Sequence, residues 1–123
     1  MQREEGMNAE LRALTTAEHD PLDSVRPESD VFCISLRALV GPAGLPGEES
    51  FDFSVCSPGW LEAELETRAI VAGRLLLIAR DYNPRCIEEY VRNRIVQASG
   101  DDWPAVASKL SRWSLWEFED YRP

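Results

Sequence analysis

Val31-Phe-Cys-Ile-Ser-Leu-Arg-Ala-Leu-Val40 and Phe51-Asp-Phe-Ser-Val-Cys56 decide the fold. In the first stretch Phe32, Ile34, Leu36, Ala38 and Val40 fall on one face of an extended chain. Val31, Cys33, Ser35, Arg37 and Leu39 fall on the other. Strict alternation of this kind marks a half-buried strand. The second stretch alternates in the same way through Phe51, Phe53 and Val55. Gly41 to Ser50 contains three Gly and two Pro, a hairpin-length connection. The two strands are therefore expected to pair antiparallel with apolar faces matched, placing Arg37 beside Asp52.

Working outward, Ser57-Pro58 reads as a helix start, with Ser57 as N-cap and Pro58 at the first helical position. Spacing puts Trp60, Leu61, Glu64 and Leu65 on one side of that helix. Leu75-Leu-Leu-Ile-Ala79 is a continuous apolar run between Arg74 and Arg80, expected to be a central strand buried on both faces. Asn83-Pro84 opens a second helix, whose stripe is Ile87, Tyr90, Val91, Arg94, Ile95 and Ala98. Glu88 and Arg92 form an i, i+4 pair on it, and Gly100 is the expected C-cap. Asp102 starts a third helix through Trp103, Val106, Ala107 and Leu110, and residues 115–121 alternate as a last strand. Toward the N-terminus, residues 8–14 read as a short edge strand and 15–30 as an acidic, proline-containing loop.

Strands first, then helices mixed with strands, define an α+β fold. The expectation is an antiparallel or mixed sheet of about four to five strands, with two or three helices on one face. At 123 residues the chain should be one domain, with residues 1–7 disordered.

The formal net charge is −9, of which −5 falls in residues 1–30 and −4 in the remainder. That balance disfavours nucleic acid and anionic membrane surfaces as ligands, both of which call for a basic face. It favours a basic protein partner. Cys33, Cys56 and Cys86 are widely spaced and form no C-x-x-C pair, so free thiols in a reducing cytosol are expected and a zinc site is not. The sequence holds neither a secretory h-region nor a long apolar run, which points to the cytoplasm.

Reaction chemistry finds little support. His19 is the only histidine and sits in the acidic loop without a triad motif. Gly41-Pro-Ala-Gly44 lacks the spacing and the Lys of a phosphate loop. Glu117 and Glu119 would share one side of a strand, as a glycosidase pair could, but a charged strand edge is the plainer reading. No catalytic, cofactor-binding or metal-binding residue is assigned. Trp103, Trp113, Trp116 and Phe118 are expected to be core.

The order of several pieces resembles the immunity protein 8 family. They are Gly41-Pro42, Glu49-Ser-Phe-Asp-Phe-Ser-Val-Cys-Ser-Pro-Gly-Trp-Leu61, Gly73-Arg-Leu-Leu-Leu-Ile78, Trp103, Lys109-Leu-Ser-Arg112 and Trp116-Glu-Phe-Glu-Asp-Tyr121. The resemblance covers most of residues 31–121. It implies a cytoplasmic, non-enzymatic bacterial protein that binds and neutralises the toxin domain encoded beside it. An acidic chain would suit a basic, nuclease-like toxin. The first expected contact surface is Glu117, Glu119, Asp120 and Tyr121; the second is Trp60 with Glu62, Glu64 and Glu66. The alternative is an acidic interaction or scaffold domain with no toxin partner.

Overall fold

The computed structural model describes residues 6–119. Its strands are β1 (Met7–Thr16), β2 (Cys33–Pro42), β3 (Glu49–Cys56), β4 (Leu76–Ile78), β5 (Ser99–Gly100) and β6 (Leu115–Trp116). Its helices are α1 (Pro58–Leu65), α2 (Pro84–Val96) and α3 (Trp103–Leu110). The strands form one mixed sheet in the order β4-β3-β2-β1-β5, with β6 also paired to β3. β3 and β4 run parallel, joined through α1; every other pairing is antiparallel. The fold is α+β, as the strand and helix order implies.

The β2–β3 hairpin sets the register. Ile34 faces Val55, Leu36 faces Phe53 and Ala38 faces Phe51, so one side of the pair is apolar up to Glu49, which stands opposite Val40 at its end. On the other side Arg37 grips Asp52 through two hydrogen bonds of 2.8 and 2.9 Å. Both side chains are about a third exposed, so this pair contributes no more than about 1 kcal/mol. Ile87, Val91 and Ile95 of α2 and Val106, Ala107 and Leu110 of α3 close over the apolar side. Trp113 packs edge-on to Phe53 at 5.4 Å. Pro at the first turn and a capping side chain open all three helices: Ser57, Asn83 and Asp102 each accept a backbone N–H three residues on.

Several expectations are corrected. Leu75–Ala79 is not a central strand: only Leu76–Ile78 pair, and they lie at the end of the sheet with Ile78 51% exposed. The run is apolar because one side meets the core through Leu77 and Ala79, not because both sides are covered. Gly100 is not a C-cap; α2 ends at Gln97, and Gly100 pairs with Met7 in β5. A Cβ at Gly100 would stand 2.7 Å from that of Ala105, so only glycine lets β5 pass so close to α3. The last strand stops at Trp116, and Phe118 is exposed rather than core. β1 is longer than expected and begins at Met7, so that residue belongs to the sheet and not to a disordered leader; residues 1–5 lie outside the described range.

Candidate protein-binding surface

The C-terminal aromatic segment is built around Glu49. One oxygen of its carboxylate accepts the indole N–H of Trp103 at 2.7 Å and that of Trp116 at 2.8 Å. Phe51 stacks on Trp116 at 6.4 Å and meets Trp103 edge-on at 6.5 Å. Ring packing of this kind adds about 0.5–1.5 kcal/mol per pair beyond the area it buries. The neighbouring carboxylates are also engaged inside the molecule. Glu117 accepts the backbone N–H of Ser50. Glu119 takes a 2.6 Å bond from Arg74, which holds its carboxyl below the usual carboxylate range. Arg74 also donates to the carbonyl oxygens of Ser111 and Ser114, so it ties the segment to the turn after α3. Of the four residues first expected to contact a partner, Glu117 and Glu119 therefore act as struts. Asp120 and Tyr121 lie outside the described residues. Because the strand ends at Trp116, Glu117 and Glu119 do not share a strand face either.

The second expected surface is arranged differently. No residue of α1 is buried. Trp60 and Leu61 are partly buried and Leu65 is 51% exposed; just beyond the helix, Ile70 is 80% exposed. Glu64 bonds Arg68 at 2.9 Å, whereas Glu62 and Glu66 make no ion pair among the described residues. What fixes α1 in place is its cap. The buried Ser57 hydroxyl accepts the N–H of Trp60 at 3.2 Å and the N–H of Phe32 at 3.0 Å, joining helix start to strand entry. A helix with none of Trp60, Leu61 and Leu65 fully buried is not held by an apolar face, as isolated helices of this length would need. Its surface mixes one ring, aliphatic groups and carboxylates, with Trp60 and Leu61 partly covered and Glu62, Leu65 and Glu66 exposed.

Groups of reactive type are poorly placed for chemistry. His19 occupies a turn with φ 72°, a backbone role. Burial pushes the Cys56 thiol up to about 11, and Cys33 opposite it across β2–β3 adds to the shift. Burial raises Cys33 as well. A thiol so shifted forms little thiolate and is a weak nucleophile. No group of three or more His, Cys, Asp or Glu that could hold a metal occurs among the described residues. Among them, too, no helix is long and apolar enough to cross a membrane.

The residues that sequence reasoning missed are Glu49 and Arg74. Glu49 carried a signal: it stands two residues before Phe51 in the same strand, a carboxylate on an apolar face. Arg74 carried none, because its partners come from residues 37–45 positions away.

Fold and surface together define a small acidic α+β domain with a helix held out from its core. The family model described as Immunity protein 8 matches residues 9–121, so the chain belongs to that family. Membership suggests a toxin-immunity protein, with a toxin as its partner in general terms. No curated protein matches the chain, and no solved structure does.

Proposed function

We propose that this domain neutralises one cognate bacterial toxin domain by occupying its surface, in the cytoplasm of the producing cell and without a reaction of its own. The observation that carries this reading is α1: a helix with no fully buried residue, whose Glu62 and the following Glu66 make no ion pair among the described residues. Rings and aliphatic groups on such a surface supply the desolvated centre of an interface, and the carboxylates around them steer a basic partner. A net charge of −9 suits a toxin with a basic, nuclease-like cleft. Trp60 is the central anchor, with Glu62, Glu64 and Glu66 as its rim. Asp120 and Tyr121 remain candidates for an outer contact. Glu117 and Glu119 serve the interface indirectly, by holding the C-terminal segment in place.

The test is co-expression with the toxin domain encoded next to this gene, together with purification of the pair. Survival of the cells and a stable complex are expected, both lost in Trp60→Ala/Leu65→Ala. Cells that die despite the domain, with no complex formed, would leave an acidic interaction domain without a toxin partner as the better reading.

A further inference from the structure

A groove of about 710 Å³ runs between β4 and α2. Its floor is apolar: Leu77, Ala79, Ile87 and Trp113. Its rim is cationic, which is unexpected on a chain of net charge −9. Four of the chain's thirteen basic residues, Arg74, Arg80, Arg94 and Arg112, line it, against one carboxylate, Asp81. Arg74 is engaged by Glu119, but the other three are available to a ligand. Arg80 reaches Asp81 only at 3.8 Å, with its side chain 94% exposed. Arg94 and Arg112 have no carboxylate partner among the described residues. Arg94 is already oriented: its guanidinium lies 5.2 Å from the Trp113 ring centre and donates to the Tyr90 hydroxyl at 2.9 Å. A pre-set planar fork of this kind suits a carboxylate.

One wall of the groove is an open strand edge. Among the described residues β4 is the last strand of the sheet, and only β3 pairs with it. Leu75 accepts from Ser54 and Ala79 donates to Cys56, both toward β3. Strand alternation then turns the backbone groups of Leu76 and Ile78 away from β3; the Leu76 N–H donates to the Gly73 carbonyl at 3.1 Å, which leaves the Leu76 carbonyl and both backbone groups of Ile78 facing the free edge. An exposed edge beside an apolar floor is the setting for strand addition, in which main-chain bonds give affinity and pockets for alternate side chains give specificity.

We propose that this groove binds an extended segment of a protein partner in which acidic and apolar residues alternate. The segment's backbone adds along Leu76–Ile78, its apolar side chains reach the Leu77–Trp113 floor, and its carboxylates meet Arg80, Arg94 and Arg112. None of these residues belongs to the α1 surface, so this site stands or falls separately from that one.

The experiment is fluorescence anisotropy with a set of short labelled peptides in which Asp or Glu alternates with Leu, Val or Phe. Members of the set should bind the whole chain. Their Lys-substituted counterparts should not. Arg80→Glu/Arg112→Glu, both at exposed positions, should weaken binding by about tenfold or more, the scale of one lost charge-assisted contact. Ile78→Pro, checked by its melting curve, should weaken it too, because it removes an outward N–H and no bond to β3. Where that variant melts early, a peptide of the same composition interrupted by proline makes the same test on native protein. Equal binding of basic and acidic peptides overturns the charge reading, and equal binding of the proline-interrupted peptide overturns strand addition. Failure of every acidic peptide, or a groove closed by a second copy of this chain in sedimentation, overturns the site as a whole.

Discussion

In α1 and its C-cap, Trp60 stands beside Glu62, Glu64 and Glu66; in the C-terminal segment, Trp116 stands beside Glu117 and Glu119. The local compositions are alike, yet the carboxylates do different work. Around Trp116 they are engaged inside the molecule: Glu49 accepts hydrogen bonds from two indole N–H groups, Glu117 from a backbone N–H and Glu119 from a guanidinium. Around Trp60, among the described residues, only Glu64 is engaged, and by Arg68 just past the helix. The difference comes from where each stretch lies. The C-terminal segment follows α3 across the end of the sheet, where partially buried indole donors would cost free energy if left unmet. α1 bridges two parallel strands and has no fully buried residue, so no buried donor requires its acids to turn inward. A mixture of rings and acids therefore leaves its charges open to a partner only where the acids have no structural duty.

The largest expected effect is on the packed side of that contrast. Trp116→Ala removes the ring stacked on Phe51 and leaves Glu49 one donor short, so it should cost about 3–5 kcal/mol in urea unfolding. Trp60, partly covered as well but outside the core cluster, should cost less on change to Ala, about 1 kcal/mol. Equal costs at the two tryptophans would break the distinction between strut and surface. Next comes the joint between the regions. Ser57→Ala leaves the buried N–H of Phe32 without its partner and α1 without its cap, a loss of about 1–3 kcal/mol. It should also loosen α1, read as faster amide exchange at Trp60 and Leu61. Unaltered exchange there would mean that something other than the cap positions the helix.

Much of the fold was legible because alternation and caps are local. The β2–β3 register, the Arg37–Asp52 pair and all three helix starts follow from residues a few positions apart or from matched strand faces. β4 was misread because an apolar run reports one covered face as readily as two, and the position of a strand in its sheet is not a local property. Gly100 was misread because its reason lies in a close approach to Ala105, not in the helix it follows. The candidate surface was half legible. Composition located both acidic–aromatic stretches, but which of them was free depended on Glu49, Ser50 and Arg74, all 45–67 positions distant from their partners in the C-terminal segment.

On the exposed side, Glu62→Lys/Glu64→Lys/Glu66→Lys should slow association with a basic toxin domain by about tenfold at low salt, with a flatter salt dependence and little change in dissociation. Stopped-flow mixing across a salt series reads this directly. Rates that do not change would shift the steering surface away from α1.

The smallest effect separates a strut from a solvated acid by its response to pH. The Arg74 bond, aided by its charge, lowers the folded-state carboxyl of Glu119 from the ordinary 4.5. A carboxyl lowered on folding adds stability that is fully present above the unfolded value and disappears as pH falls through the folded one. Glu119→Gln should therefore melt below the parent chain at pH 6, and the gap should narrow as pH drops from about 4.5 toward 3. Because the pair is partly open to water, the gap should also shrink with added salt. A gap that stays constant across that pH range would mean that Glu119 acts through packing or hydrogen bonding alone, and that Arg74 holds the segment chiefly through Ser111 and Ser114.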